Sequence, residues 1–136
     1  MNWKKVINQL KENNLIDDRG LVCHSNANVT YSTNYVLFLK FEHVNQYNLP
    51  RFMLLSIIND KLIISKATLG GKYKEYYATI DLKNLFYEKE YKKDFIYTYE
   101  FKYKVGDNSY EPFYINPNFN NERVKELVNS IKNFKL

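Results

Sequence analysis

Residues 94–104 read DFIYTYEFKYK and alternate without a break. Phe95, Tyr97, Tyr99, Phe101 and Tyr103 fall on one side; Ile96, Thr98, Glu100, Lys102 and Lys104 fall on the other. Period two throws successive side chains to opposite faces of a strand, which a helix cannot reproduce. The aromatic side is the expected core face, with tyrosine hydroxyls at its rim. A long strand with one apolar and one polar face belongs to an antiparallel sheet, so the other strands must be sought nearby.

They lie on both sides of it. Residues 35–43 (YVLFLKFEH) are β-branched and aromatic, and residues 52–58 and 61–66 are two apolar runs hinged on Asn59-Asp60. Asparagine and aspartate both tolerate positive φ, so the hinge is predicted as a type I′ hairpin turn. Leu55, Ile57, Leu62 and Ile64 are the core residues it implies. Gly70-Gly71 marks the next reversal, followed by strands at 74–80 and 85–91. Residues 106–109 turn the chain into a last strand at 110–115, where Pro112 points to an edge or a bulge. A short further strand is expected at 21–24, within a polar, turn-rich stretch over 17–34.

Two helices flank the strands. Trp3, Val6, Ile7 and Leu10 recur at helical spacing, and Asn13-Asn14 suits the left-handed end of such a helix. Val124, Leu127, Val128 and Ile131 form a second stripe, extended by Phe134 and preceded by Pro117. Asn118 or Asn120 is the expected cap, with Phe119 and Val124 placed for a hydrophobic staple. Glu122 and Lys132 sit at the ends that the helix dipole favours.

The expected fold is therefore mainly β (α+β), one domain in 136 residues. Counted from residue 35, seven antiparallel strands in meander order curl into two orthogonal sheets or a partly open barrel, which the C-terminal helix caps. Residues 35–136 make this barrel and its helix, and residues 1–34 are an N-terminal helix and polar extension packing on it.

The hairpin Ile58-Asn59-Asp60-Lys61-Leu62, followed by Ile63-Ile64, resembles the Thr-Asn-Lys-Arg-Leu hairpin of bacterial pleckstrin-homology-like (PH-like) domains. Asn59 and Leu62 match, Lys61 stands for the arginine, and Ile58 replaces the threonine. The step TIDLKNL at 79–85 and the ending ERVKELVNSIKNF are similar to that family's passage into its fifth strand and to its closing helix. The resemblance spans about residues 35–134 and implies a non-catalytic binding module of bacterial or phage origin. Eukaryotic relatives bind phosphoinositides through basic residues on the first two strands. Lys40 and Arg51 occupy two such places, but Met53 takes the third, which argues against specific phosphoinositide recognition.

Chemistry is sparse in the chain. Cys23 is the only cysteine, so an internal disulfide and a thiolate metal cluster are excluded. Cys23-His24 is the one pair with catalytic residue types, yet neighbours on a strand face opposite ways, which defeats a nucleophile–base contact. Two histidines without clustered carboxylates make no metal site, and no phosphate loop or paired acid–base carboxylates occur. Neither an enzyme nor a cofactor is expected. The first residues lack the apolar core of a signal peptide, so a cytoplasmic protein is expected.

The net charge of +5 raises the question of anionic partners. Lysine, asparagine, isoleucine and tyrosine are enriched together, as A/T-rich codons specify, which accounts for much of it. A protein or peptide partner is expected, with Lys40, Arg51, Lys72 and Lys74 as rim contacts on or near loops. Two alternatives remain: nucleic acid, stacked on exposed tyrosines beside Lys92, Lys93, Lys102 and Lys104, as a defence-related inhibitor from a mobile element would bind it, and a weakly held anionic membrane surface.

Overall fold

A computed structural model describes residues 1–27, 49–93, 95–118 and 121–134. Helix α1 (Trp3–Glu12) starts at the Asn2 cap, whose side-chain oxygen accepts from the Lys5 amide at 3.2 Å. It ends as the sequence predicts. Asn14 takes the left-handed conformation at φ 57°, and the Leu15 amide returns to the Leu10 carbonyl at 2.8 Å.

Among the described residues seven antiparallel strands follow: β1 (Val22–Asn26), β2 (Phe52–Ile58), β3 (Lys61–Ala67), β4 (Tyr73–Asp81), β5 (Leu85–Lys93), β6 (Ile96–Gly106) and β7 (Ser109–Pro117). Helix α2 (Asn121–Asn133) closes the chain. The strand expected at 35–43, the staple residue Phe119 and the alternative cap Asn120 lie outside the described residues.

The sheet runs β4-β3-β2-β1-β7-β6-β5, so the short strand of the N-terminal polar stretch sits at its centre. Among the described residues β4 and β5 are the two edges, yet only a 3-10 turn at Leu82–Asn84 separates them in the chain. Laid flat, edges six strand spacings apart are roughly 29 Å from each other. Four residue steps reach at most about 14 Å. The sheet must therefore curl until the end of β4 meets the start of β5. The bend is at the centre, where β1 and β7 share only the pairs Ser25↔Pro117 and Asn26↔Asn116. A four-stranded limb and a three-stranded limb meet at that seam.

Curling creates an inside, which α2 fills with Val124, Leu127, Val128 and Ile131. The expected hairpin core Leu55, Ile57, Leu62 and Ile64 faces it, fully buried. Phe101 and Phe113 meet it from the other limb. A second, smaller core lies outside the four-stranded limb, where Val6 and Leu10 of α1 cover Leu54, Ile63 and Ala67. Arg123 of α2 ties the two layers, its guanidinium 4.7 Å from the Trp3 ring centre.

Two expectations need correction. At the β2–β3 hinge only Asn59 has positive φ (55°), so the turn is not type I′, which requires both central residues there. It is held from outside instead: Asp17 Oδ2 accepts from the Asn59 amide at 2.7 Å, and Arg19 Nη2 donates to the Asn59 carbonyl at 2.9 Å. The aromatic face of residues 95–103 is core only in part. Tyr99 and Phe101 are buried and Tyr103 packs against them, but Tyr97 is exposed and Phe95 is 95% exposed. The hairpin overhangs the end of β7, and nothing described covers it there. On the polar side Thr98 is buried at the seam, while Ile96 stands in solvent. Pro112 does lie in an edge-like stretch, since residues 109–115 of β7 pair with β6 alone among the described residues.

Candidate functional site

β1 stops, β2 begins and β3 turns into β4 at one end of the four-stranded limb. Arg51 immediately precedes β2, whose first residue Phe52 pairs with Asn26. Its carbonyl accepts from the Ala27 amide at 2.9 Å, which pins the junction. Residues 68–72 form the neighbouring turn: the Gly71 amide donates to the Thr68 carbonyl at 3.0 Å, and the Lys72 amide donates to Thr68 Oγ1 at 3.0 Å. Gly71 takes φ +91°, a backbone conformation that strains residues with a Cβ, so this turn favours glycine. Lys72 is in the turn, and Lys74 is in β4 where the register shifts between Lys66 and Ala67.

Three of the four expected rim residues, Arg51, Lys72 and Lys74, thus share one end of one limb, all exposed. Lys40 lies outside the described residues. The neighbouring Lys66 is neutralised locally, pairing with Glu75 at 3.1 Å. Among the described residues no carboxylate lies within ion-pairing distance of Arg51, Lys72 or Lys74. Arg51 rests instead on the Phe52 ring, 5.3 Å from its centre.

Beneath this end runs a buried polar network that the sequence did not announce. His24 is fully buried and stacks on Phe52 at 6.2 Å. Its Nε2 donates to the Thr68 carbonyl at 2.9 Å, and its Nδ1 accepts from Asn118 Nδ2 at 2.9 Å. Asn118 and Asn26 exchange side-chain hydrogen bonds at 2.6 and 2.7 Å. Thr98 donates to Asn116 Oδ1 at 2.8 Å, and the Asn116 amide donates to Ser25 Oγ at 2.9 Å. These bonds stitch the seam where the ladder has only two pairs. The available signal was asparagine at strand positions 26 and 116, a residue that strands otherwise avoid.

The electrostatics argue against chemistry at Cys23-His24. The two side chains do point apart, Cys23 into the inner core and His24 to the outer side. Burial pushes the Cys23 thiol up to about 12, so it holds no thiolate at neutral pH. Burial also lowers the His24 pKa, opposed by its bond to Thr68. Protonation would place an N–H against the Asn118 amide, a donor facing a donor. The tyrosine stacking platform fares no better at its centre, since Tyr99 is buried.

The β5–β6 turn is the other exposed feature, and the periodicity concealed it. Lys92-Lys93-Asp94 is the local signal for a turn, and β6 begins at Ile96, two residues after the start of the alternating stretch 94–104. Among the described residues no group of histidine, cysteine and carboxylates is arranged to hold a metal, and no helix is long and apolar enough to cross a membrane. No family model, curated protein or solved structure matches this chain.

Proposed function

We propose that this chain is a non-catalytic, PH-like binding module that docks a protein partner at the end bearing Arg51, Lys72 and Lys74. The PH-like reading draws support from four strands, a short corner, three strands and a closing helix wrapped around one core. The observation that carries the binding reading is the set of three exposed cations without carboxylate partners among the described residues, while Lys66 beside them is paired. Unpaired charge on loop-borne positions over a rigid sheet steers an acidic partner and fixes its orientation. The non-catalytic reading draws on the inert Cys23 thiol and on His24, both of whose nitrogens are engaged.

The test uses a photo-crosslinking residue at position 72, compared with position 125 on exposed α2, in native-host cells. A partner captured from position 72 alone is purified and titrated against the wild-type chain. Arg51→Glu, Lys72→Glu and Lys74→Glu together are expected to weaken it by roughly a hundredfold, mostly through slower association. Unchanged affinity after the triple reversal, or no capture specific to position 72, refutes the proposal.

A further inference from the structure

The tip of the β5–β6 hairpin has properties that the folded chain does not use. Phe95 is 95% exposed and takes φ 68°, a conformation that costs an aromatic residue energy. Ile96 and Tyr97 follow it at 52% and 42% exposed, which makes three consecutive large apolar side chains in solvent. The stem beneath is stiff. Tyr97 and Tyr87 both donate to the Glu90 carboxylate, at 2.8 and 3.3 Å, and Tyr97 packs 5.1 Å from Tyr99. Cations ring this stem, with Lys92 5.9 Å from the Phe95 ring centre and Lys89 5.5 Å from that of Tyr91.

We propose that this tip is an interfacial anchor that enters the headgroup region of an anionic phospholipid bilayer. Along the hairpin, Phe95 and Ile96 come first with the Lys92 ammonium beside the Phe95 ring, then the ring and hydroxyl of Tyr97, then Lys89. Phe95 and Ile96 suit the hydrocarbon boundary and Tyr97 the aromatic-favouring interface, while the long lysine stems carry their ammonium groups back to the phosphates. The tip is convex, so it suits a surface that yields around it better than one that must already hold a matching pocket. Two tyrosine hydroxyls occupy the Glu90 carboxylate, and Glu100 pairs with Lys89 at 3.7 Å, so among the described residues Lys92 is the stem lysine without a carboxylate partner; Asp94 lies outside them. The lysines select anionic lipid, and their contribution is screened by salt. The site lies on the three-stranded limb, so it stands independently of protein docking at Arg51, Lys72 and Lys74.

Co-sedimentation of the full chain with vesicles tests this, using phosphatidylcholine alone and phosphatidylcholine with about one third phosphatidylserine. Binding is expected to the mixed vesicles only, weakening as salt rises. Phe95→Ser with Ile96→Ser lowers it by about tenfold or more, and Lys92→Glu by several-fold, with the melting temperature unchanged. Phe95→Gly separates the anchor from the fold, because glycine accepts the positive φ: its melting temperature stays or rises while binding falls. A Phe95→Trp variant gains blue-shifted emission on the mixed vesicles. No binding of the wild type to those vesicles overturns the proposal. So does binding that survives Phe95→Ser with Ile96→Ser, or that is lost only on reversing Arg51, Lys72 and Lys74. A protein partner that requires Phe95 without any vesicle binding would reassign the tip as a protein anchor.

Discussion

His24 shows how much a single buried residue can owe to its neighbours. With Nε2 committed to the Thr68 carbonyl and Nδ1 to Asn118, only the neutral ring satisfies both bonds. Its folded pKa lies below the ordinary 6.5, so the unfolded chain binds a proton that the fold refuses. Stability from this group is therefore complete above 6.5 and is lost as pH falls below it, by up to about 1.4 kcal/mol per pH unit. Denaturant midpoints of the wild type and His24→Gln, measured from roughly pH 7.5 to 5.5, should converge as the pH drops. Parallel curves would show that His24 is free to take up its proton. Asp17 has the opposite sign. Its hydrogen bond from Arg19 is the main cause that lowers its pKa to about 2, so its small contribution holds above about 4 and disappears towards pH 2.

At the scale of elements, the edges of the sheet are managed and the helices are specialised. β4 carries register shifts against β3, and β5 carries one between Tyr87 and Lys89 with lysine and glutamate along it. Bulges and charges of this kind discourage another strand from adding to either edge. Helix α1 has an apolar stripe but a polar remainder, so it depends on the outer core rather than on its own propensity. Leu10, fully buried against that core, should cost about 2–5 kcal/mol when changed to Ala. Ile7, only half-buried, should cost clearly less. Equal losses at the two positions would mean that α1 does not pack as a face.

For the whole molecule the seam between β1 and β7 is the weak joint. Six residue pairs join β2 to β3, against two across the seam, where side chains of Ser25, Asn26, Thr98, Asn116 and Asn118 supply the remaining bonds. Cooperative units open at their thinnest connection. The Asn118 amide, held to the His24 carbonyl at 3.3 Å, should exchange with solvent well before those of Leu55 and Ile64 at the middle of β2–β3. Uniform protection in native-state hydrogen exchange would show that the two limbs open as one. Local pattern determined the elements: alternation in residues 96–103 made β6, the stripes at Val6–Leu10 and Val124–Ile131 made the helices, and Leu55, Ile57, Leu62 and Ile64 went inside as apolar residues must. The rest was non-local. Nothing in the alternation told Phe95 from Phe101, because both occupy the same face and differ only in whether β7 and the other limb reach far enough to cover them. Asn26 and Asn116 hinted at polar groups inside strands, but nothing near residue 24 named its partners, which are 44 and 94 residues away in the chain. Side-chain period is a property of neighbours in sequence, whereas burial and charge pairing belong to surfaces that meet only after the sheet has curled, so the strands were legible in the sequence and the site was not.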